Sequence, residues 1–211
     1  MQLVNVPLTT AVATRINILM KETWVGPHTS SFRKFQLKAI QRVENPTVWQ
    51  TYAMKRQSMM QRATDREGID KADKRLVEAN LADSYEHIWL FWACSTPDTV
   101  AKVVSQGFNR FTCGRNVMQF GKGISLDTQL WSATERSYAD SDGIKRVICC
   151  RVLVGEPEIG YNGQPQPSSR RIKGGNVPYD STTDNTNPEK RLKFVVYNDA
   201  QVYPEYVVEC K

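Results

Sequence analysis

The chain has 211 residues, 28 Lys+Arg against 22 Asp+Glu, a net charge of +6 and a pI near 9.1. At 40% hydrophobic and 24% charged, it excludes a disordered, collagen-like or coiled-coil polypeptide. It fits one globular domain over 1–211, large enough to bury a core without disulfide or metal staples.

No window approaches the roughly 20 apolar residues that span a bilayer. MQLVNVPLTT lacks the basic-then-apolar order of a secretory signal, so neither membrane insertion nor export is expected. The five cysteines, Cys94, Cys113, Cys149, Cys150 and Cys210, form no CxxC, and only His28 and His87 join them. Free thiols in a reducing, intracellular compartment are expected, with no metal site. The positive balance leaves nucleic acid or an acidic partner open. The basic residues nevertheless fall in small groups: Arg33, Lys34, Lys38 and Arg42; Arg170, Arg171 and Lys173; Lys190, Arg191 and Lys193. These read as solvated faces and loops, and no basic stripe interleaves with aromatics as single-strand binding needs.

In chain order, 8–22 predicts a helix with Val12, Ile16 and Met20 at spacings of four. The stretch 32–43 is weakly strand-like. Asn45-Pro46 starts a helix, Asn as cap and Pro in the first turn, whose face of Val48, Trp49, Tyr52 and Met59 runs to about Ala63. Residues 64–86 read as a polar surface linker. Ile88 to Trp92 is a short apolar run rich in strand formers. Thr96-Pro97 opens a helix that buries Val100, Val103 and Val104, and Gly107 ends it. Val147 to Val154 reads as a central strand covered on both faces. Phe194–Tyr197 and Tyr206–Val208 are two more strands. The Gly-, Pro-, Asn- and Ser-rich stretch 156–190, between Val154 and Phe194, reads as one long loop of the kind that carries function. The layout is helical first, then mixed α+β.

Several segments now fall in a familiar order: IQRVENPTVWQTYAMKRQSM, WLFWACSTPDTVAKVVSQGFNR, QFGKGISL, CRVLVGE, PYDSTTDN and FVVYNDAQVYPEYVV. With them the chain resembles the catalytic domain of the poly(ADP-ribose) polymerase family, closest to its mono-ADP-ribosyltransferase branch. The resemblance implies a split, antiparallel-rich β-sheet with flanking helices, and a cleft where NAD⁺ gives up nicotinamide and ADP-ribose passes to an acceptor. That fold lacks the Rossmann glycine fingerprint, and Gly121 and Gly123 here form only GxG.

The resemblance also assigns positions. The family His, which bonds the adenosine-side ribose, falls on Trp92 in Phe91-Trp92-Ala93-Cys94. Trp offers one N–H and no acceptor and is much larger. In a regular strand, His87 lies five positions away on the opposite face and does not substitute. The family Tyr after Gly-Lys-Gly-aliphatic falls on Ser125. The third position is Val207 when Tyr203-Pro204-Glu205-Tyr206-Val207 is matched to the mono-transferase branch, or Glu205 when matched to the polymerising branch. Val207 is preferred, which leaves Glu205 a surface carboxylate.

A vestigial NAD pocket would use Ala93 for backbone contacts to the carboxamide. Tyr138, thirteen residues after Ser125, would stack on nicotinamide or merely cover core. Lys122 and Arg115 would meet phosphates, though Lys122 also reads as a solvated side chain. With the ribose clamp and a stacking wall gone, the expectation is a pseudoenzyme that serves as a structural or protein-interaction module and binds no cofactor. An altered mono-ADP-ribosyltransferase that binds NAD⁺ in an open cleft is the alternative, and a nucleic-acid-binding module the next.

Overall fold

The computed structural model describes residues 1–24, 35–67, 85–113, 119–172 and 175–211. Helix α1 (Ala11–Glu22) starts where the Thr10 hydroxyl accepts from the Ala13 N–H at 3.2 Å, satisfying one free donor of the first turn. Its buried stripe is Ala13, Ile16 and Met20, and Val12 is exposed. The spacing of four explains the difference. Each such step overshoots a turn by about 40°, so Val12 lies about 80° around the axis from Met20.

Asn45-Pro46 starts α2 (Pro46–Glu67) as expected. The buried Asn45 Oδ1 accepts from Val48 N–H at 3.2 Å, while its Nδ2 donates to the Val104 and Ser105 carbonyls at 2.9 and 3.0 Å. Those carbonyls belong to the last turn of α3 (Pro97–Gln106), so one side chain caps one helix and satisfies the end of another. Gly107, at φ 78°, closes α3 with its N–H on Val103 O at 2.8 Å. Helix α2 runs past Ala63 to Glu67, because Arg66 and Glu67 are good helix formers. The linker assigned to 64–86 therefore begins inside a helix. Residues 68–84 lie outside the described residues, and Glu86 already opens a strand. Two short helices that sequence reasoning did not place, α4 (Arg110–Cys113) and α5 (Leu130–Arg136), complete the helical elements described.

The strands are β1 (Gln2–Asn5), β2 (Leu37–Glu44), β3 (Glu86–Ala93), β4 (Ile124–Asp127), β5 (Lys145–Leu153), β6 (Pro157–Ile159), β7 (Ser169–Ile172), β8 (Gly175–Pro178), β9 (Ser181–Thr183), β10 (Lys193–Val196) and β11 (Val202–Cys210). Nine form one sheet in the order β1-β2-β11-β5-β3-β4-β10-β9-β6, antiparallel throughout except for β6 and β9; β7 and β8 pair separately. The sheet narrows between β3 and β4, where one registered pair, Phe91 opposite Asp127, joins five strands to four. This is an α+β fold with a split sheet. The stretch 156–190, read as one long loop, instead holds four short strands and a 3₁₀ turn at Pro188–Lys190. Strands of three or four residues are too brief for alternation to register in the sequence.

Core lies on both faces. One cluster gathers Leu90, Trp92, Ile148, Cys150, Val152 and Val207 under Val103 and Val104 of α3. The other gathers Phe91, Val147, Cys149 and Val208 under α1 and α5. Successive β5 residues alternate between the two, which accounts for its uninterrupted apolar run.

Two bulges flank β5. The register of β3 against β5 slips between Ile88 and Leu90, leaving Trp89 extra at φ 69°. That of β11 slips between Pro204 and Tyr206, leaving Glu205 extra. The two extra residues meet: Trp89 Nε1 donates to Glu205 Oε2 at 2.5 Å. The first bulge also breaks the alternation used to set His87 apart from Trp92. His87 pairs through its backbone with Val152, and its side chain lies outside the described residues.

Helix α2 is tied to the sheet by ions. Glu86 accepts from Tyr52 Oη at 2.6 Å and Arg56 Nε at 2.7 Å, and Arg151 stands 3.5 Å away. Burial pushes the Glu86 carboxyl up, but those two hydrogen bonds and the two guanidinium charges outweigh it and hold the pKa below the usual 4.5. Below about 4.5 the unfolded chain then binds the proton first, so stability falls as pH drops toward the folded pKa. Melting curves of Glu86→Gln should show a flatter acid limb than the parent between pH 5 and 3.

Candidate functional site

Strand register sets in one row two of the three positions that the resemblance assigns. Trp92 on β3 lies opposite Ile148 on β5, and Ile148 lies opposite Val207 on β11. All three side chains belong to the same cluster. Trp92 is 8% exposed and meets Phe108 edge-on, with ring centroids 5.2 Å apart. Phe108 follows α3 directly, so the indole fills the corner between the β3 end and that helix. Val207 is buried and carries no polar atom.

Ser125 is not brought to this row. On β4, Ile124 and Leu126 enter the Trp92 cluster, and alternation turns Ser125 and Asp127 to the other face. Ser125 is 5% exposed, and among the described residues its hydroxyl has no hydrogen-bond partner. Two residues on, Asp127 is fully buried and holds a polar cluster. It pairs with Arg136 of α5, accepts from Lys193 Nζ at 2.9 Å across the β4–β10 ladder, and accepts from Ser132 Oγ at 2.9 Å. Burial pushes the Lys193 ammonium down to about 8, the Arg136 charge adds to this, and Asp184 opposes it. Lys193 is thus a partly buried ion-pair partner, with 16% of its side chain exposed, whereas its sequence group reads as solvated.

The Gly-Lys-Gly segment serves packing. A Cβ on Gly121, at φ 138°, would lie 1.8 Å from Tyr197 Oη, and one on Gly123 would lie 2.3 Å from the Val196 carbonyl. Glycine lets β10 close against β4. Lys122 between them is exposed, and among the described residues it donates only its backbone N–H, to Gln164 O at 2.6 Å. Ala93 lies opposite Val147 at the end of β3. Tyr138 stands next to that end, with its N–H on Cys94 O at 2.8 Å, but its side chain is 47% exposed and covers no core. Arg115 lies outside the described residues. Glu205 is not the surface carboxylate expected: only 14% of its side chain is exposed, and it accepts one hydrogen bond on each oxygen, from Arg151 Nε and from Trp89 Nε1.

Cys94, Cys149, Cys150 and Cys210 are free and buried. Burial pushes Cys94 and Cys210 up to about 12 and raises Cys149 as well, so these three thiols are inert as nucleophiles at neutral pH. Among the described residues no His, Cys, Asp or Glu group is arranged to hold a metal ion, and no helix is long and apolar enough to cross a membrane.

Sequence reasoning missed the Asp127 cluster. Its signal was the alternation Ile124-Ser125-Leu126-Asp127, a polar face on a strand that burial hides on both sides.

The model of the poly(ADP-ribose) polymerase catalytic domain matches residues 13–211. Human "Protein mono-ADP-ribosyltransferase PARP14" is 28% identical over 176 residues, 82% of this chain and 9% of that protein. Mouse "Protein mono-ADP-ribosyltransferase PARP10" is 26% identical, covering 84% of this chain and 16% of its own length. The Arabidopsis thaliana "Probable inactive poly [ADP-ribose] polymerase SRO2" is 27% identical over 124 residues, 56% of this chain and 36% of its own. The chain spans well under half the length of these relatives.

Proposed function

We propose that this chain, which belongs to the poly(ADP-ribose) polymerase catalytic-domain family, no longer transfers ADP-ribose and serves as a structural or protein-interaction module. One observation carries the reading: the Trp92 indole is packed edge-on against Phe108 in the core, in one row with the apolar Val207. ADP-ribosyl transfer depends on holding NAD⁺ in a reactive pose and on electrostatic stabilisation of a cationic sugar. At the ribose-binding position stands a buried indole with one donor and no acceptor. At the third position stands a methyl-bearing side chain. The Ser125 hydroxyl is buried on the opposite face of the sheet. These residues do not fit the nucleotide. Each 1.36 kcal/mol is tenfold in rate, and one electrostatic contact to the transition state is worth about 10²–10³, so losing two costs about 10⁴-fold or more. The likeness to a plant relative named "Probable inactive" agrees with this reading. Four free buried thiols support an intracellular setting.

A calorimetric titration of the chain with NAD⁺ tests the proposal. No saturable heat is expected, and saturable binding overturns it. In that case the mono-ADP-ribosyltransferase reading leads, favoured by the exposed Tyr138 side chain beside the end of β3. Nicotinamide release by the parent and by a Trp92→His/Ser125→Tyr variant then decides whether those two positions alone silence the scaffold.

A further inference from the structure

A concave region opens beside the start of β3. Along β3, Glu86 stands six residues before Trp92, roughly 20 Å at the rise of a strand. There, two chambers share the exposed ring of Trp49 as a common wall. The first, about 480 Å³, is lined by Tyr52, Arg56, Gln57, Glu86 and Arg151. The second, about 430 Å³, is lined by Arg42, Glu44, Asn45, Tyr203 and Glu205. Each is within the size range of ligand sites.

Trp49 is 42% exposed and lies edge-on to Tyr203 with centroids 4.9 Å apart and stacked on Tyr52 at 5.7 Å. The chambers carry opposite charge. In the first, Arg56 is paired with Glu86 and Arg151 leaves it net +1; in the second, Arg42 is paired with Glu44 and Glu205 leaves it net −1, so the opposite signs come from one ion pair divided between the chambers. The Arg151–Glu205 pair, 2.9 Å, runs between them with its cation in the first and its anion in the second. Each guanidinium has five N–H donors. Arg56 commits Nε to Glu86, and Arg151 commits Nε to Glu205.

This polarity disfavours a nucleic-acid strand, whose phosphates would lie across both chambers and meet Glu44 and Glu205 in the second. It favours a ligand with an anion at one end and a cation at the other. The cation would lie over or beside the indole, where the ring face attracts it.

We propose that the Trp49 groove is a docking site for an extended peptide segment bearing an acidic side chain, which enters the Arg56–Arg151 chamber, and a basic one, which enters the Glu44–Glu205 chamber. The proposal deepens the interaction-module reading. It is separable from it, because NAD⁺ titration reports on the cleft and peptide binding on the groove.

The test is fluorescence anisotropy of the full chain with labelled Gly/Ser peptides that carry one Glu and one Arg at varied spacing and in both orders. Controls carry only one of the two charges, and a uridine oligonucleotide is titrated in parallel. A subset of the doubly charged peptides should bind at least tenfold more tightly than either singly charged control. Trp49→Phe keeps a ring in the wall and should weaken binding less than Trp49→Ala. Glu44→Arg, on the solvent rim, reverses the charge of the second chamber and should shift preference from Glu/Arg to Glu/Glu peptides. That shift is one a mere loss of fold does not produce. The proposal fails if no peptide binds, if single-charge controls bind equally, if Glu44→Arg leaves preference unchanged, or if the oligonucleotide binds more tightly than every peptide.

Discussion

The Asp127→Asn variant should melt far below the parent. Asp127 is fully buried between Arg136 and Lys193, and removing one member of such a cluster leaves uncompensated charge at a cost of about 3–5 kcal/mol. For a chain of this size that is roughly 6–20 °C in Tm, read by differential scanning calorimetry. Asn still accepts from Ser132 but no longer balances two cations. Lys193→Met in the same background should recover part of the loss, since it removes one unpaired charge. The deficit should also shrink with rising pH. The folded pKa of Lys193, about 8, lies below its ordinary 10.5, so between those values the unfolded chain binds the extra proton and this group's contribution to stability rises with pH. Without Asp127 the rise begins at lower pH. A loss under 1 kcal/mol, flat with pH, would show that the cluster is dispensable.

Trp92→Ala should cost about 3–5 kcal/mol, as removal of a large buried aromatic does, and should still not confer NAD⁺ binding. The measurement is urea denaturation beside the NAD⁺ titration described above. A catalytic side chain that projects into a cleft is removed at little cost to the fold; one that fills the corner between β3 and Phe108 is not. If Trp92→Ala kept the parent's stability and bound NAD⁺, the indole would be a removable plug over an intact site.

What the sequence disclosed follows from how strongly each feature is written locally. The α2 start was legible because Asn45-Pro46 combines a cap with a fixed φ. The ends of α3 were legible for a similar reason, Pro97 at one and Gly107 at the other. The central place of β5 followed from apolar residues in both phases of the alternation. Strand β4 was not legible from its own pattern, because four residues carry too short a period and two of them, Ser125 and Asp127, are polar yet buried. The environment of Lys193 could not be read, because a basic cluster looks the same whether or not a strand opposite supplies Asp127. The choice between Glu205 and Val207 stayed open for a geometric reason: Glu205 is the extra residue of a bulge, and sequence spacing alone does not show where a strand skips a count.

The paired bulges have a consequence for engineering. Trp89 and Glu205 are joined to each other across β5, so β3 and β11 each carry one residue more than a flat ladder would need, at nearly the same level of the sheet. A donor strand spliced in to restore an active site would deliver its side chains one step out of phase unless it brought that surplus residue along. Shortening either strand alone would also strand the partner's indole or carboxylate. The transplantable unit is therefore the pair of strands with their residue count, and swapping single side chains onto β3 works only while that count is kept.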